Sequence, residues 1–356
     1  MTSNGSAEKD NLFGSLPGQE KDTTKIKDPV LFIVSSGRSA TTLLRSILNA
    51  SNQIAIPHES DFIGRAYRFY QKKSEFIPQD YENIVSLFMV TSRGQGWGLD
   101  KDYLISYLNR YQPQSFADIN RVFYQAYHER EGTEDLLWGI KSPVLIASLE
   151  EILTVFPDTQ IIHVVRDGRD VYLSYKKVHQ KSQVKFGPKR LLPAILYWVD
   201  GLRRVEKLKN GEQKVQVYEL RYKDLIRFPD EELSKLCDCV GIEYFPKMYQ
   251  DYHNLERNQK LVSPKFMTSF HSKAKQGLDP NNAEKFYREM RKRERFFFEL
   301  LAAPYLQKYN YPIEFKFLLL PVWNILRYPL YFVSKLFNDW RYRERDFKSL
   351  KWANIN

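Results

Sequence analysis

The sequence predicts an α/β protein with a three-layer fold, in which a central parallel sheet is flanked by helices. Short apolar runs rich in β-branched residues alternate with amphipathic helical stretches from Val30 to about Val240. Of the 356 residues, 43% are hydrophobic, which is enough for a packed core. Polar and basic segments follow the apolar runs directly, as is typical of ligand sites at the carboxyl ends of parallel strands.

The first element is a predicted strand, 30–34, followed by the turn Ser-Ser-Gly-Arg-Ser-Ala-Thr-Thr and an apolar helix. Such a loop aims backbone N–H groups and a helix N-terminus at one point, which makes an anion site. The nucleoside-triphosphate loop G-x-x-x-x-G-K-[ST] has a Lys where Arg38 stands here. With no acidic magnesium ligand nearby, we expect an anion bound without a metal. Because a side chain disfavours positive φ, we expect the helix to have begun at Ala40.

A second apolar strand, 159–165, ends in Arg-Asp-Gly-Arg-Asp and is followed by a predicted helix over 171–178. Arg166 at the strand end and Ser174 on the helix can both reach one phosphate group. Since the carboxyl ends of parallel strands meet at one edge of the sheet, both anion sites share that edge. The two sites together predict a ligand with phosphate groups in two places.

These two segments resemble the signatures of sulfotransferases that use 3′-phosphoadenosine 5′-phosphosulfate (PAPS), above all the tyrosylprotein-sulfotransferase-like branch and its bacterial relatives. The resemblance covers roughly residues 28–312. It implies that Arg166 and Ser174 hold the 3′-phosphate and that the loop holds the 5′-phosphosulfate. The loop residues are Gly37, Arg38, Ser39, Ala40, Thr41 and Thr42. The family loop more often has Gly where this chain has Ala40.

Further positions match the family pattern. Glu59, 21 residues after Arg38, stands where the family has its catalytic carboxylate, although an ordinary helix-capping Glu is the alternative and His58 is a second candidate base. Lys141 begins a Lys-x-Pro element after an apolar strand, 136–140. Tyr222, after the strand 215–218, resembles the adenine-contacting Tyr, but it could instead cover the sheet. Lys275, with Lys273 as the other candidate, would close over the phosphates.

The resemblance implies sulfuryl transfer from PAPS, a co-substrate, to an acceptor hydroxyl by in-line displacement, leaving adenosine 3′,5′-bisphosphate. Glu59 would take the acceptor proton, and Arg38 and Lys141 would neutralise charge on the transferring group, with no metal. Two alternatives stay open: a P-loop nucleotide kinase and a non-catalytic, membrane-associated nucleotide-binding scaffold. The acceptor is unidentified, and glycan, lipid and peptide hydroxyls all remain open.

The charge of the chain indicates an anionic partner. Fifty-four Lys and Arg against 43 acidic residues give a formal net charge of +11. The sequence carries none of the zinc-finger or RNA-binding patterns, so we expect no nucleic acid partner. The nucleotide donor, an anionic membrane surface and a second copy of the chain in a homodimer remain candidates. Residues 1–28 lack the apolar core of a signal peptide. Animal members of the resembled branch carry a Golgi anchor that we do not find here, which favours a bacterial relative in the cytoplasm, either free or at the membrane surface.

Three regions complete the organisation: a disordered tail over 1–28, a sulfotransferase domain over 29–312 and an aromatic, basic arm over 313–356. Within the domain, a helical insertion over 61–130 is rich in Tyr and Phe, which could line an acceptor cleft or simply pack the core. Single helices are predicted over 189–210 and 281–308, and a loop-rich flap over 241–280.

The C-terminal arm is not expected to span a membrane, because Arg327 and two prolines interrupt its apolar stretch. It either lies on a membrane surface or packs on the domain. Cys237 and Cys239, one residue apart, are expected not to form a disulfide. His163 is expected to be a core histidine, and Arg169 a structural ion-pair partner of Asp170.

Overall fold

The computed structural model describes residues 26–91, 97–181, 186–212, 214–252 and 278–316, together with 329, 332–333, 335–344, 348 and 351. Residues 1–25 of the predicted tail, residues 253–277 of the predicted flap, and Lys273 and Lys275 lie outside the described residues. Residues 26–28, which the sequence analysis placed in the tail, contact the domain. The Lys27 carbonyl accepts from Trp138 Nε1 at 2.9 Å, and Asp28 pairs with Arg121 at 2.6 Å.

Five parallel strands form the sheet and confirm the predicted fold class. They are β1 (Leu31–Val34), β2 (Ile54–Ala55), β3 (Leu137–Lys141), β4 (Gln160–Val165) and β5 (Val217–Arg221). Their order is β2-β3-β1-β4-β5, and every neighbouring pair is parallel. The chain builds β2 and β3 on one side of β1 and then crosses to β4 and β5 on the other. The carboxyl end of β1 is therefore a topological switch point, where open sheets bind their ligands.

Helices cover both faces of this sheet. Those before β4 are α1 (Thr41–Asn49), α2 (Phe62–Tyr70), α3 (Pro78–Thr91), α4 (Lys101–Tyr111), α5 (Phe116–Glu131) and α6 (Leu149–Val155), with a 3₁₀ turn at Pro143–Ala147. The later ones are α7 (Gly168–Lys181), α8 (Leu191–Lys209), α9 (Tyr222–Arg227), α10 (Pro229–Val240), α11 (Lys247–Gln250), α12 (Phe286–Glu289) and α13 (Lys292–Lys308), with a 3₁₀ turn at Pro280–Asn282.

The side-chain alternation of β1 divides the core into two layers. Phe32 and Val34 pack under the inserted helices, whereas Leu31 and Ile33 pack under α1 and α10. All four side chains are 0% exposed. A third apolar group joins α7, α8 and α13 beyond the end of β4. A strand buried on both faces reads as a continuous apolar run, which is why β1 was visible in the sequence.

The aromatic side chains of the insertion pack the core. Of the fourteen Tyr and Phe residues over 61–130, ten are buried, Tyr67, Phe76 and Tyr103 are half-buried, and Phe69 is 41% exposed. Phe123, for example, is 0% exposed, and its ring centroid lies 4.4 Å from that of Phe88. The packing alternative thus describes this region better than an aromatic-lined acceptor cleft. The buried residues are Phe62, Tyr70, Tyr81, Phe88, Tyr107, Tyr111, Phe116, Phe123, Tyr124 and Tyr127.

The helix predicted over 281–308 is interrupted. The backbone is extended at Met290 and Arg291, and α13 begins after Arg291, where a reciprocal capping bond with Glu294 closes its first turn. Helical periodicity alone cannot locate such a break, because the apolar residues continue through it. His163, 0% exposed, lies within the core as expected, and its Nδ1 lies 3.2 Å from Glu219.

Candidate active site

The loop after β1 turns sharply, and its own hydroxyl groups hold it. Ser35 Oγ accepts from the Gly37 N–H at 3.0 Å, and Ser39 Oγ donates to the Gly37 carbonyl at 3.1 Å. Gly37 has a φ of 71°, and a Cβ there would lie 2.2 Å from the Tyr175 hydroxyl. The turn therefore requires glycine at position 37, both for backbone conformation and for space.

The expectation that Ala40 adopts a helical backbone is wrong. Ala40 has a φ of 69° and precedes the first helical residue, Thr41, while Arg38 has a φ of 53°. Left-handed backbone costs a residue with a Cβ about 1–2 kcal/mol. The chain has to reverse here to point the first turn of α1 back at the sheet edge, and that requirement overrides the preference of alanine. Since alanine has no side-chain acceptor, the first N–H groups of α1 are left for a ligand.

Glu59, Lys141 and Thr42 meet at this edge, although they come from three segments of the chain. Lys141, at the carboxyl end of β3, is 2% exposed, forms an ion pair with Glu59 and donates to Thr42 Oγ1 at 3.0 Å. The carboxyl end of β3 therefore places an ammonium between the base candidate and the loop. His58 directs its Nδ1 at the Glu59 backbone N–H, 3.0 Å away.

A second group forms around Arg166, directly after β4. One Arg166 terminal nitrogen donates to the Arg38 carbonyl at 3.2 Å and the other to the Asn282 carbonyl at 2.8 Å. Its Nε is buried and has no hydrogen-bond partner among the residues that the structure describes. Arg38 Nε donates to Ser174 Oγ at 3.0 Å. Burial lowers the pKa of the Arg38 guanidinium, and the nearby charge of Arg166 acts in the same direction. Arg38 thus contacts Ser174 through its side chain and Arg166 through its carbonyl.

Tyr222, at the start of α9, supports Arg166 from below. The Arg166 guanidinium lies over the Tyr222 ring, 4.7 Å from its centroid, and the Tyr222 hydroxyl accepts from Asn282 at 2.6 Å. Tyr222 itself is only 3% exposed. Sequence reasoning missed Asn282, because a residue in a short polar turn carries no signal until the fold brings it to the sheet edge.

The ion pair expected between Arg169 and Asp170 is wrong. Arg169, 0% exposed, pairs instead with Asp167 and Glu299, each at 2.7 Å. Asp170 accepts the Phe286 N–H at 3.0 Å, and burial raises its pKa to about 6. Neighbours on a helix point in different directions, and the true partner Glu299 lies on α13, so sequence proximity was misleading.

The described residues contain no group of three or more His, Cys, Asp and Glu side chains that could hold a metal ion. Among these residues there is also no helix that is long and apolar enough to cross a membrane. The site is therefore built from a strained loop, two Arg side chains, one buried Lys–Glu pair and helix N–H groups.

The sequence model of the sulfotransferase family matches residues 29–246, more than half of the chain. The chain belongs to this family. The matched range contains the loop after β1, Glu59, Lys141, Arg166 and Tyr222, whereas Asn282 lies beyond it. Two relatives are omega-hydroxy-beta-dihydromenaquinone-9 sulfotransferases Stf3, from Mycobacterium bovis and Mycobacterium tuberculosis. Each is 25% identical over 271 residues, which are 65% of this chain and 69% of the relative.

Solved structures share the sulfotransferase fold. The sulfotransferase domain of the Synechococcus PCC 7002 olefin synthase aligns with a TM-score of 0.50 at 20% identity, covering 77% of this chain and 92% of that domain. The sulfotransferase domain from the curacin biosynthetic pathway also aligns with a TM-score of 0.50, at 21% identity, covering 81% of this chain and 99% of that domain. At this identity the likeness extends to the fold of our sulfotransferase and not to its substrates.

Proposed function

We propose that the protein transfers a sulfuryl group from PAPS to an acceptor hydroxyl, with Glu59 as the general base. One observation supports this above all: Glu59 forms an ion pair with the buried Lys141 beside the strained loop, on the edge of the sheet that also carries Arg166. A base and a cation at the same place suit a reaction in which one group takes a proton and the other meets developing charge.

The chain's polar groups fit a donor with two separate anionic ends. Lys141, Thr42 and the first N–H groups of α1 would hold the 5′-phosphosulfate. Arg166, whose buried Nε has no partner in the described ranges, would hold the 3′-phosphate with Ser174. An orphaned guanidinium nitrogen beside a second cation favours an anionic ligand, because a buried unsatisfied donor costs about 1–3 kcal/mol.

In the proposed reaction the acceptor oxygen forms a bond to sulfur as the bond from sulfur to the phosphate oxygen breaks. Glu59 takes the hydroxyl proton, and Lys141 stabilises the charge left on the phosphate oxygen. We assign Arg38 to donor binding with Arg166, because its side chain bonds to Ser174. Tyr222 holds Arg166 in place through their stacked contact. The P-loop kinase alternative is less favoured, because the loop has no Lys.

For the acceptor we propose an alcohol on an apolar chain. The mycobacterial relatives are named for a hydroxylated menaquinone, and the C-terminal arm of this chain exposes an apolar surface. Residues 335–344 are helical, and Asn338 anchors them by donating to the Leu196 carbonyl at 3.3 Å. This helix exposes Leu336 and Trp340, and Phe332 and Val333 shortly before it are exposed as well, each by more than half. We propose that this apolar surface rests on an anionic membrane, where the exposed Lys335 and Arg343 meet headgroups.

The enzymatic test is sulfuryl transfer from labelled PAPS to long-chain prenyl alcohols, with an acidic Tyr peptide and a glycolipid as other acceptors. The wild-type chain should label the alcohol, and Glu59→Gln should lower the rate by about 10²–10⁴-fold. Calorimetry with adenosine 3′,5′-bisphosphate is the control: Glu59→Gln should bind it like the wild type, and Arg166→Met at least about tenfold more weakly. Binding of ATP–magnesium without any labelled product would contradict the proposal and favour the kinase.

The membrane part is tested by flotation with phosphatidylglycerol vesicles. A double Leu336→Ala, Trp340→Ala variant should float less than the wild type. Phe228→Ala removes an aromatic ring of similar exposure, 58%, on another part of the surface and is the matched control. Equal flotation of all three proteins would remove the arm from membrane binding.

A further inference from the structure

Arg45 is a buried cation that the proposed reaction does not use. It lies on α1 and is 1% exposed, and within the described part of the chain its Nε and one terminal nitrogen have no hydrogen-bond partner. Its other terminal nitrogen makes a long bond of 3.4 Å to the Pro57 carbonyl. Burying a guanidinium with open donors is costly, and burial lowers its pKa. The position of Arg45 in the site indicates why a charged side chain is buried there.

Arg45 belongs to a row of polar side chains on the inner face of α1. Thr42, Arg45 and Asn49 are spaced so that they share one face. Thr42 accepts from Lys141 at 3.0 Å. Asn49 binds both backbone groups of Ile56, at 2.8 and 3.1 Å. The row therefore holds the segment that runs from β2 into Glu59, and Arg45 lies between its two ends.

The interaction between Arg45 and Glu59 is electrostatic. Among the charged groups that act on the Arg45 guanidinium, Glu59 is the largest that favours its charged form, followed by Tyr127 of α5. By reciprocity, Arg45 favours the ionised form of Glu59. The other groups that face Glu59 are Lys141 from β3, Arg38 from the loop and His58 beside it.

We propose that Arg45 is a positioning residue for Glu59, a fixed buried countercharge that keeps the carboxylate ionised and its segment in place. This inference rests on the proposed function, since Glu59 matters as a base only there. Lys141 cannot supply the same constant field, because it also has to meet charge on the transferring group. The packing of α1 holds Arg45 in place, so that its field is present throughout turnover.

The first experiment needs no acceptor. The change in unfolding free energy caused by Glu59→Gln is measured from pH 3 to 7, the range in which a paired carboxylate gains its proton, in two backgrounds, wild type and Arg45→Met. The midpoint of this pH dependence reports the protonation of Glu59. Loss of the Arg45 charge should raise that midpoint by about one pH unit. An unchanged midpoint would overturn the inference.

Arg45→Lys is the conservative variant, and it also serves if Arg45→Met does not fold. It keeps the charge and should leave the midpoint close to that of the wild type. A shift in Arg45→Lys as large as that in Arg45→Met would show that the charge is not the cause and would also overturn the inference.

The second readout is the pH profile of sulfuryl transfer to the prenyl alcohol. In Arg45→Met the acid limb of kcat/KM should move up by the same amount, and the affinity for adenosine 3′,5′-bisphosphate should stay unchanged. An equal loss at every pH would indicate a structural role only and contradict the inference. If the wild type transfers nothing, the proposed function fails by itself, while the stability measurements still decide the coupling of Arg45 to Glu59.

Discussion

Two buried ionic groups flank β1, and they differ in how completely the protein satisfies them. On the β4 side, Arg169 uses its nitrogens on Asp167, Glu299 and the Pro312 carbonyl, and its guanidinium lies 3.6 Å from the Phe286 ring centroid. On the β3 side, Glu59 keeps 15% of its side chain exposed, and its partner Lys141 also bonds to a hydroxyl of the strained loop.

The difference separates structure from function within one sheet edge. A charge cluster whose bonds all close on protein atoms joins elements, here the end of β4 to α13. A cluster beside a strained turn and buried nitrogens whose hydrogen bonds are unsatisfied can donate hydrogen bonds to a ligand. Both groups contain Arg or Lys directly after a strand, so the residue type alone does not distinguish them. Their partners do.

The largest expected effect comes from removing the cation of the closed cluster, the name we give to Arg169, Asp167 and Glu299. Arg169→Met leaves the carboxylates of Asp167 and Glu299 buried without their cation and should lower the unfolding free energy by about 3–5 kcal/mol, measured by urea denaturation. Neutralising the partners as well, in Arg169→Met with Asp167→Asn and Glu299→Gln, should recover most of the loss. If the triple variant were as unstable as the single one, the cluster would be more than an ionic connection.

Removing the cation and then neutralising its partner should distinguish the Glu59–Lys141 pair from the Arg169 cluster. Lys141→Met should slow sulfuryl transfer by about 10²–10³-fold, because a preorganised cation at the reacting group is lost. Adding Glu59→Gln should restore stability, as in the first cluster, but not the rate. Recovery of the rate in the double variant, measured with labelled PAPS, would mean that this pair is structural too.

Sequence reasoning predicted the fold, and most of the residues that it proposed for the site lie together at the sheet edge, because both depend on local patterns. An apolar strand ending in a polar turn is visible in the sequence, as at Val34 and Val165. The pairing of a given cation with a given carboxylate depends on contacts between distant parts of the sequence. Arg169 and Glu299, for example, are 130 residues apart. Arg45 is a charged residue within the mostly apolar stretch of α1. This position was the sequence feature that could have indicated a buried cation.

Asp170 tests the boundary of the closed cluster. It adjoins Arg169 but pairs with neither cluster, and burial raises its pKa from 3.8 to about 6. Between these values the folded protein keeps a proton that the unfolded chain releases, so the stability from this group falls as pH rises. Asp170→Asn, which stays neutral, should therefore gain up to about 3 kcal/mol over the wild type between pH 4 and pH 7.

Urea denaturation at four pH values between 4 and 7 measures this difference. Asp251→Asn, at an exposed carboxylate, provides the baseline for an Asp-to-Asn change. A wild-type minus variant curve for Asp170 that runs parallel to this baseline would show that Asp170 is already ionised at pH 4, in solvent or as a further member of the closed cluster, and would contradict the prediction.

The smallest expected effect concerns the backbone that makes the β3-side group open to ligands. Two alanines bound α1: Ala40 before it, with φ of 69°, and Ala50 after it, with φ of −70°. Ala40→Gly relieves left-handed strain of about 1 kcal/mol and should leave stability equal or slightly higher. Ala50→Gly has no strain to relieve and should lose about 0.5–1 kcal/mol through chain entropy. Because the two substitutions are chemically identical, the difference between them in thermal denaturation isolates the backbone conformation. Equal losses at both positions would mean that the loop is not strained at Ala40, and the contrast with the closed cluster would then depend on the side chains alone.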